Sequence, residues 1–192
     1  ELPYDDGRLD FLVVVPRGDF LAFQAGWTAA ACQAIRDSLS VHAAYLLMRG
    51  MKTYFVRRDA QCANAQRVAE FLQAHPAVER VRFPGLPGDP GHARARAQMT
   101  DFGSLVTFDV RGGIETGNRV AESLELFAIA ASLGSTESLV LAPGLFQPRG
   151  LTAEQRAWTD IRPGTLRLSI GIEDVDDLVA DLGQALATVS AS

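Results

Sequence analysis

The chain has 192 residues, 47% of them hydrophobic, and a formal net charge of −5 at pH 7. That length suits one domain, or a domain with an appended arm, and the apolar content excludes a disordered chain. The negative balance excludes the basic face that a nucleic-acid partner would need.

Of 18 basic residues only Lys52 is a lysine. Cys32 and Cys62 stand in helical-looking segments without ligand spacing, so they read as thiols in a reducing cytosol rather than a disulfide or metal site. The first apolar run, residues 11–15, is too short to span a membrane, and the acidic stretch before it has no signal-peptide pattern. A cytoplasmic protein is expected.

In chain order, residues 1–10 read as a solvated arm. Residues 11–15 read as a short buried strand closed by Pro16. Residues 20–39 have helical composition weakened by Gly26, and Ser40 is placed to cap the next helix. Residues 41–74 read as a long helix, with Val68, Phe71 and Leu72 on its apolar face and Arg67 and Glu70 opposite. Gly50 calls for a break or close packing there, and His75-Pro76 ends the helix. Strands are expected over 78–83, 103–110, 138–141 and 166–170, and a short helix over 93–99. Residues 111–113 turn the chain. An amphipathic helix is expected over 118–130, with Val120, Leu124, Phe127 and Ala128 on one side. A helical turn is expected over 152–158. Residues 174–189 form the last helix, with Val175, Leu178, Val179, Leu182 and Leu186 as its buried stripe. Strands separated by helices predict an α/β fold, a small sheet covered by helices.

Several ordered segments carry a resemblance. Met48 to Thr53 is similar to an "RGLKT" segment. His75 to Val81, followed by Phe83 to Pro87, is similar to "HP-V--V-YPGL". Gln98-Met99 through Phe102-Gly103 is similar to "QM-GFG". Ser132-Leu133-Gly134 with Glu137-Ser138-Leu139 is similar to "SLGG-ESL". Arg167 to Asp174 closely matches "RLSVGIED". Together they resemble the C-terminal half of the trans-sulfuration family of pyridoxal-phosphate (PLP) enzymes, the cystathionine γ-synthase, cystathionine γ-lyase and methionine γ-lyase type.

The resemblance implies the C-terminal domain of fold-type I PLP enzymes, preceded by a long linking helix. It divides the chain into a remnant of the cofactor domain's end over 1–40, the linking helix over 41–75, and an α/β domain over 76–192. Family members are about twice this length, and their Schiff-base lysine stands in an "S-TKY-GGHSD" segment. Alignment puts that lysine near Glu1, where Tyr4 to Arg8 do not keep the motif. A Schiff base needs a lysine amine in a pocket that can lower its pKa. Lys52 is not that residue, since the family has a separate lysine there. The resemblance therefore implies PLP held mainly by a partner chain, with none bound covalently by this one and no catalytic residue on it.

The resemblance assigns substrate binding to Arg167, Ser132 and Gln147. The arginine of "RLS-G" holds the substrate's α-carboxylate, which a planar guanidinium fork grips bidentately. The bland alternative is a strand-edge arginine pointing to solvent. Ser132 lies in a loop implied to sit beside the same carboxylate, where a small hydroxyl followed by glycine lets backbone amides approach an anion. The alternative is a helix C-terminal loop whose Gly134 serves only the turn. Three positions depart from the family: Ala142-Pro143 replaces "HP", Phe146-Gln147-Pro148 replaces "MTH", and Ala131 replaces a glutamate of cystathionine-preferring γ-lyases. Either the substrate differs or the pocket is no longer used.

His42, His75 and His92 read as surface or capping groups, and Asp174, Asp176, Asp177 and Asp181 as surface charge favoured at a helix N-terminus. Two functional readings are open. One is the C-terminal-half subunit of a split PLP enzyme for elimination or replacement at Cβ or Cγ of a sulfur-type amino acid, in a hetero-oligomer with a cofactor-bearing chain. The other is a catalytically inactive domain that partners a full-length homologue. A fragment cut from a longer chain is a third, technical possibility.

Overall fold

The structure is a computed structural model that describes residues 40–143, 152, 154 and 159–190. The strand expected over 11–15, the helix over 20–39, Cys32 and Gln147 lie outside the described residues, as does most of the helical turn over 152–158. Contacts divide the chain into two units, Glu1–Arg49 and Gly50–Ser192.

Helix α1, Val41–Met51, begins where expected: Ser40 Oγ accepts a hydrogen bond from the Ala43 amide at 3.1 Å. Helix α2, Tyr54–Ala74, follows after a two-residue turn. The long stretch is thus two helices, and the break expected near Gly50 falls at Lys52-Thr53. Close packing is not seen, since a Cβ on Gly50 would meet nothing within 4 Å among the described residues. The freed Gly50 carbonyl instead accepts from Arg57 Nη1 at 3.1 Å. At the far end His75 is extended and caps α2, as a residue before proline must be.

Strand β1 is Val78–Arg82, helix α3 His92–Gln98, strand β2 Leu105–Val110 and helix α4 Gly113–Ser123. Strands β3, Ala128–Ile129, β4, Leu139–Leu141, and β5, Thr165–Ser169, precede the final helix α5, Val175–Ser190. The sheet order is β1-β2-β5-β4-β3. Every pairing is antiparallel except β3 with β4.

Val78 and Val81 are three apart, which strict alternation would put on opposite faces. A register shift between Val78 and Arg80 resolves this, so that Val78 pairs with Val110 and Val81 with Phe108. Both then face the core. Val106, Phe108, Val140, Leu166 and Leu168 line the same face, all fully buried. Against them lie Ala65, Val68, Ala69 and Leu72 of α2, and Val120 and Ala121 of α4. Helix α5 packs on α2 and α4 and adds Leu178, Leu182, Ala185 and Leu186. All the helices of this core cover one side. The other side of the sheet carries Thr107, Asp109, Thr165, Arg167 and Ser169 beside Leu105, Leu139 and Leu141.

The helix expected over 118–130 is corrected. Helix α4 starts five residues earlier, where Gly112 and Gly113 take the positive φ values of 91° and 79°. It ends at Ser123, and Leu124 turns extended with ψ 135°. The reason lies on another element. Asp181 of α5 accepts hydrogen bonds from the Glu125 and Leu126 amides, each at 2.9 Å. That capture ends the helix and sends Ala128 and Ile129 into the sheet. Asp181 is itself buried, so its reading as surface charge is also corrected. Asp174, Asp176 and Asp177 are exposed as expected. No helix among the described residues is long and apolar enough to cross a membrane.

Candidate functional site

The side of the sheet away from the helices is set by register. Thr107 of β2 stands opposite Arg82 on one flank and Arg167 on the other. Asp109 stands opposite Arg80 and Thr165, and Leu105 opposite Ser169. Alternation along β5 sends Leu166 and Leu168 inward and leaves Thr165, Arg167 and Ser169 on this face.

At one end lies an ionic cluster around a buried carboxylate. Asp109 is 1% exposed and accepts from Thr165 Oγ1 at 2.5 Å, Arg80 Nε at 2.9 Å and Arg82 Nη2 at 3.3 Å. Arg80 also donates to Asp160 at 2.6 Å, and that pairing raises its pKa above the ordinary value. These ion pairs tie β1, β2 and the approach to β5 together.

Arg167 is different. It is half-buried near the centre of the sheet, beside Leu141 on β4, and burial pushes its pKa below the ordinary arginine value. Its Nη2 donates to the Ser132 carbonyl oxygen at 3.1 Å. The structure therefore brings two of the three expected site residues together. Arg167 is not a strand-edge arginine, since β5 has β2 on one side and β4 on the other. A charged group taken from water needs oriented dipoles or a counter-ion, and the carbonyl supplies one dipole.

Ser132 is exposed, and its loop is held by alternate residues. Gly134 has φ 82°, and its amide donates to Ser169 Oγ at 2.9 Å. The loop follows strand β3, so its reading as a helix C-terminal loop is corrected. The glycine amide expected to face an anion is bonded to Ser169. Further along, the Ile172 amide donates to the Thr136 carbonyl at 2.9 Å. Gln61 and Asn64 of α2 reach the same loops, Gln61 Nε2 donating to Ser135 O at 2.6 Å and Asn64 Nδ2 to Glu173 O at 2.8 Å.

Sequence reasoning missed Asp109, Glu173 and Asn64. A carboxylate alternating with Val106, Phe108 and Val110 in a strand is a signal for Asp109. Glu173 sits in an acidic run, and its signal is its place in the Arg167 to Asp174 motif.

The cofactor's covalent end does not fit the described residues. Lys52 is exposed in the turn between α1 and α2. It is the chain's one lysine.

The sequence profile of the family described as Cys/Met metabolism PLP-dependent enzyme matches residues 20–187. The L-methionine gamma-lyase of Pseudomonas putida is 48% identical over 148 residues, covering 77% of this chain and 37% of that protein. The cystathionine gamma-lyase of Dictyostelium discoideum is 44% identical over 142 residues, covering 74% and 37%. The crystal structure of cystathionine gamma synthase from Xanthomonas oryzae pv. oryzae, in complex with aminoacrylate and cysteine, superposes with a TM-score of 0.73. It is 40% identical, over 78% of this chain and 39% of that one. The chain thus spans little more than a third of the length of these relatives.

Proposed function

Since this chain belongs to the Cys/Met metabolism PLP-dependent enzyme family, we propose that it is the substrate-carboxylate half of such an enzyme. It works with a second polypeptide that carries the Schiff-base lysine and holds the PLP. The substrate class is a sulfur-type amino acid, and the reaction an elimination or replacement at Cβ or Cγ, as the activities of these relatives suggest. The whole is a hetero-oligomer.

One observation carries the reading: a half-buried guanidinium held beside a serine carbonyl, on a chain whose single lysine is exposed. Arg167 binds and orients the α-carboxylate through its planar fork. Burial strengthens that ion pair, because the site's effective dielectric is lower than water's. Ser132 lends its carbonyl to Arg167, and the resemblance assigns Gln147 to the substrate's distal part.

Recovery of the native complex, followed by amino-acid titration, tests this. A stoichiometric partner with an "S-TK" segment is expected. In that complex Arg167→Ala should weaken amino-acid binding by about 2–5 kcal/mol, the usual cost of truncating one member of a desolvated charge pair. Arg167→Lys should restore only part. Unchanged affinity in Arg167→Ala would remove the assignment. Recovery of a full-length homologue instead would favour a non-catalytic partner role.

A further inference from the structure

We propose that Glu173 is a positioning residue for Arg167, acting through a ladder of hydrogen bonds along residues 132–138. The proposal rests on the carboxylate-binding role of Arg167 and adds how that group is held.

Two segments run side by side. On one are Ser132, Gly134, Thr136 and Ser138; on the other are Arg167, Ser169, Ile172 and Glu173. Their contacts run in order from Arg167 Nη2 to Ser132 O, through the Gly134 amide to Ser169 Oγ and the Ile172 amide to Thr136 O. The far end closes on Glu173. Its carboxylate accepts the Ser138 amide at 2.6 Å on Oε1 and the Ser138 hydroxyl at 2.9 Å on Oε2. The same Ser138 Oγ accepts the Gly171 amide at 2.9 Å. Ser138 is fully buried.

A carboxylate is required by this arrangement. It receives two donors at once through two acceptor oxygens, and charged acceptors make the stronger bonds. A glutamine would offer one acceptor and one donor. The packing leaves no slack either: a Cβ on Gly171 would lie 2.3 Å from Glu173 Oε2 and 2.3 Å from the Thr136 carbonyl oxygen. Asn64 fixes the back of the joint, donating to the carbonyls of Gly171 at 3.3 Å and Glu173 at 2.8 Å. Glu173 thus anchors a loop whose other end sets the direction of the Arg167 guanidinium.

Two measurements on Glu173→Gln test this. In the full chain, amide hydrogen exchange at Ser138 and Gly134 should speed at least tenfold, about 1.4 kcal/mol in local opening. Amides of Phe108 and Leu168 should keep their rates. In the complex with the cofactor-bearing partner, KM for the amino acid should rise about tenfold with kcat within twofold. A merely structural role would lower the folded fraction and leave the KM of the folded enzyme alone. Should Glu173→Gln not fold, Ser138→Ala keeps the amide bond, removes the hydroxyl, and should shift both readouts the same way. Unchanged exchange at Gly134 overturns the proposal. So does an unchanged KM in the Glu173 variant when Arg167→Ala raises it. If Arg167→Ala itself leaves KM unmoved, the carboxylate assignment fails and takes the functional part of this inference with it. The exchange rates would then still judge the ladder separately.

Discussion

His75 shows how one residue carries both a boundary and a pH response. Its Nδ1 accepts the Ala77 amide at 3.3 Å, and burial lowers its pKa below the ordinary value of 6.5. Protonating Nδ1 would remove that acceptor. A histidine whose folded pKa is depressed contributes stability that is present above its unfolded pKa of about 6.5 and lost as pH falls through the lower folded value. The melting temperature should therefore drop between pH 7.5 and pH 5. His75→Asn keeps a side-chain acceptor for an amide two residues on and does not titrate, so its drop should be shallower. Equal slopes for both proteins would exclude His75 as the source. At this scale the chain was partly legible. An arginine among Leu166, Leu168 and Ile170 marks itself, because a charge in an apolar run needs a reason. Glu173 is marked only by its place in the motif, because its run with Asp174, Asp176 and Asp177 looks like solvated charge.

Among elements, α5 does more than cover the core. Its Asp181 holds the Glu125 and Leu126 amides, and Gln184 Nε2 donates to both Asp181 Oδ1 at 3.0 Å and Ser123 O at 2.6 Å. Asp181→Ala would leave two backbone donors in a partly buried place without acceptors. At about 1–3 kcal/mol for each unsatisfied group, the two together predict a loss of about 2–6 kcal/mol. The urea midpoint should fall without a change in slope. Asp181→Asn keeps one acceptor and should recover part of the loss. A change under about 0.5 kcal/mol, typical of plain surface positions, would mean the contact contributes nothing. The same contact explains the misplaced helix end. Val120, Leu124, Phe127 and Ala128 keep helical spacing, but the local pattern continues past the residue where a distant carboxylate takes the next amides.

At the scale of the whole molecule, α1 stands out. It has no buried residue, with Val41 90% and Met48 66% exposed and Tyr45, Leu46 and Leu47 also exposed. Contiguous apolar patches of that kind on proteins mark interfaces. The purified chain should therefore not persist as a monomer, but self-associate or hold a partner. Sedimentation velocity showing a single well-behaved monomer at micromolar concentration would count against this. Replacing Leu47 and Met48 with glutamate should shift any assembly toward smaller species.

The sequence alone determined the α/β class, the end of helix α2, strands β2 and β5, helix α5 and the family motifs. Those signals are local: a period near 3.6 or 2, a capping serine before α1, a histidine-proline stop after α2. Tertiary structure alone decided the strand order, the bulge that turns Val78 and Val81 to one face, the end of α4, and the meeting of Ser132 with Arg167 and Ser138 with Glu173. Each of those pairs is 35 residues apart. A hydrogen bond across such a distance leaves no periodicity in the chain, and forms only when β4 and β5 lie side by side.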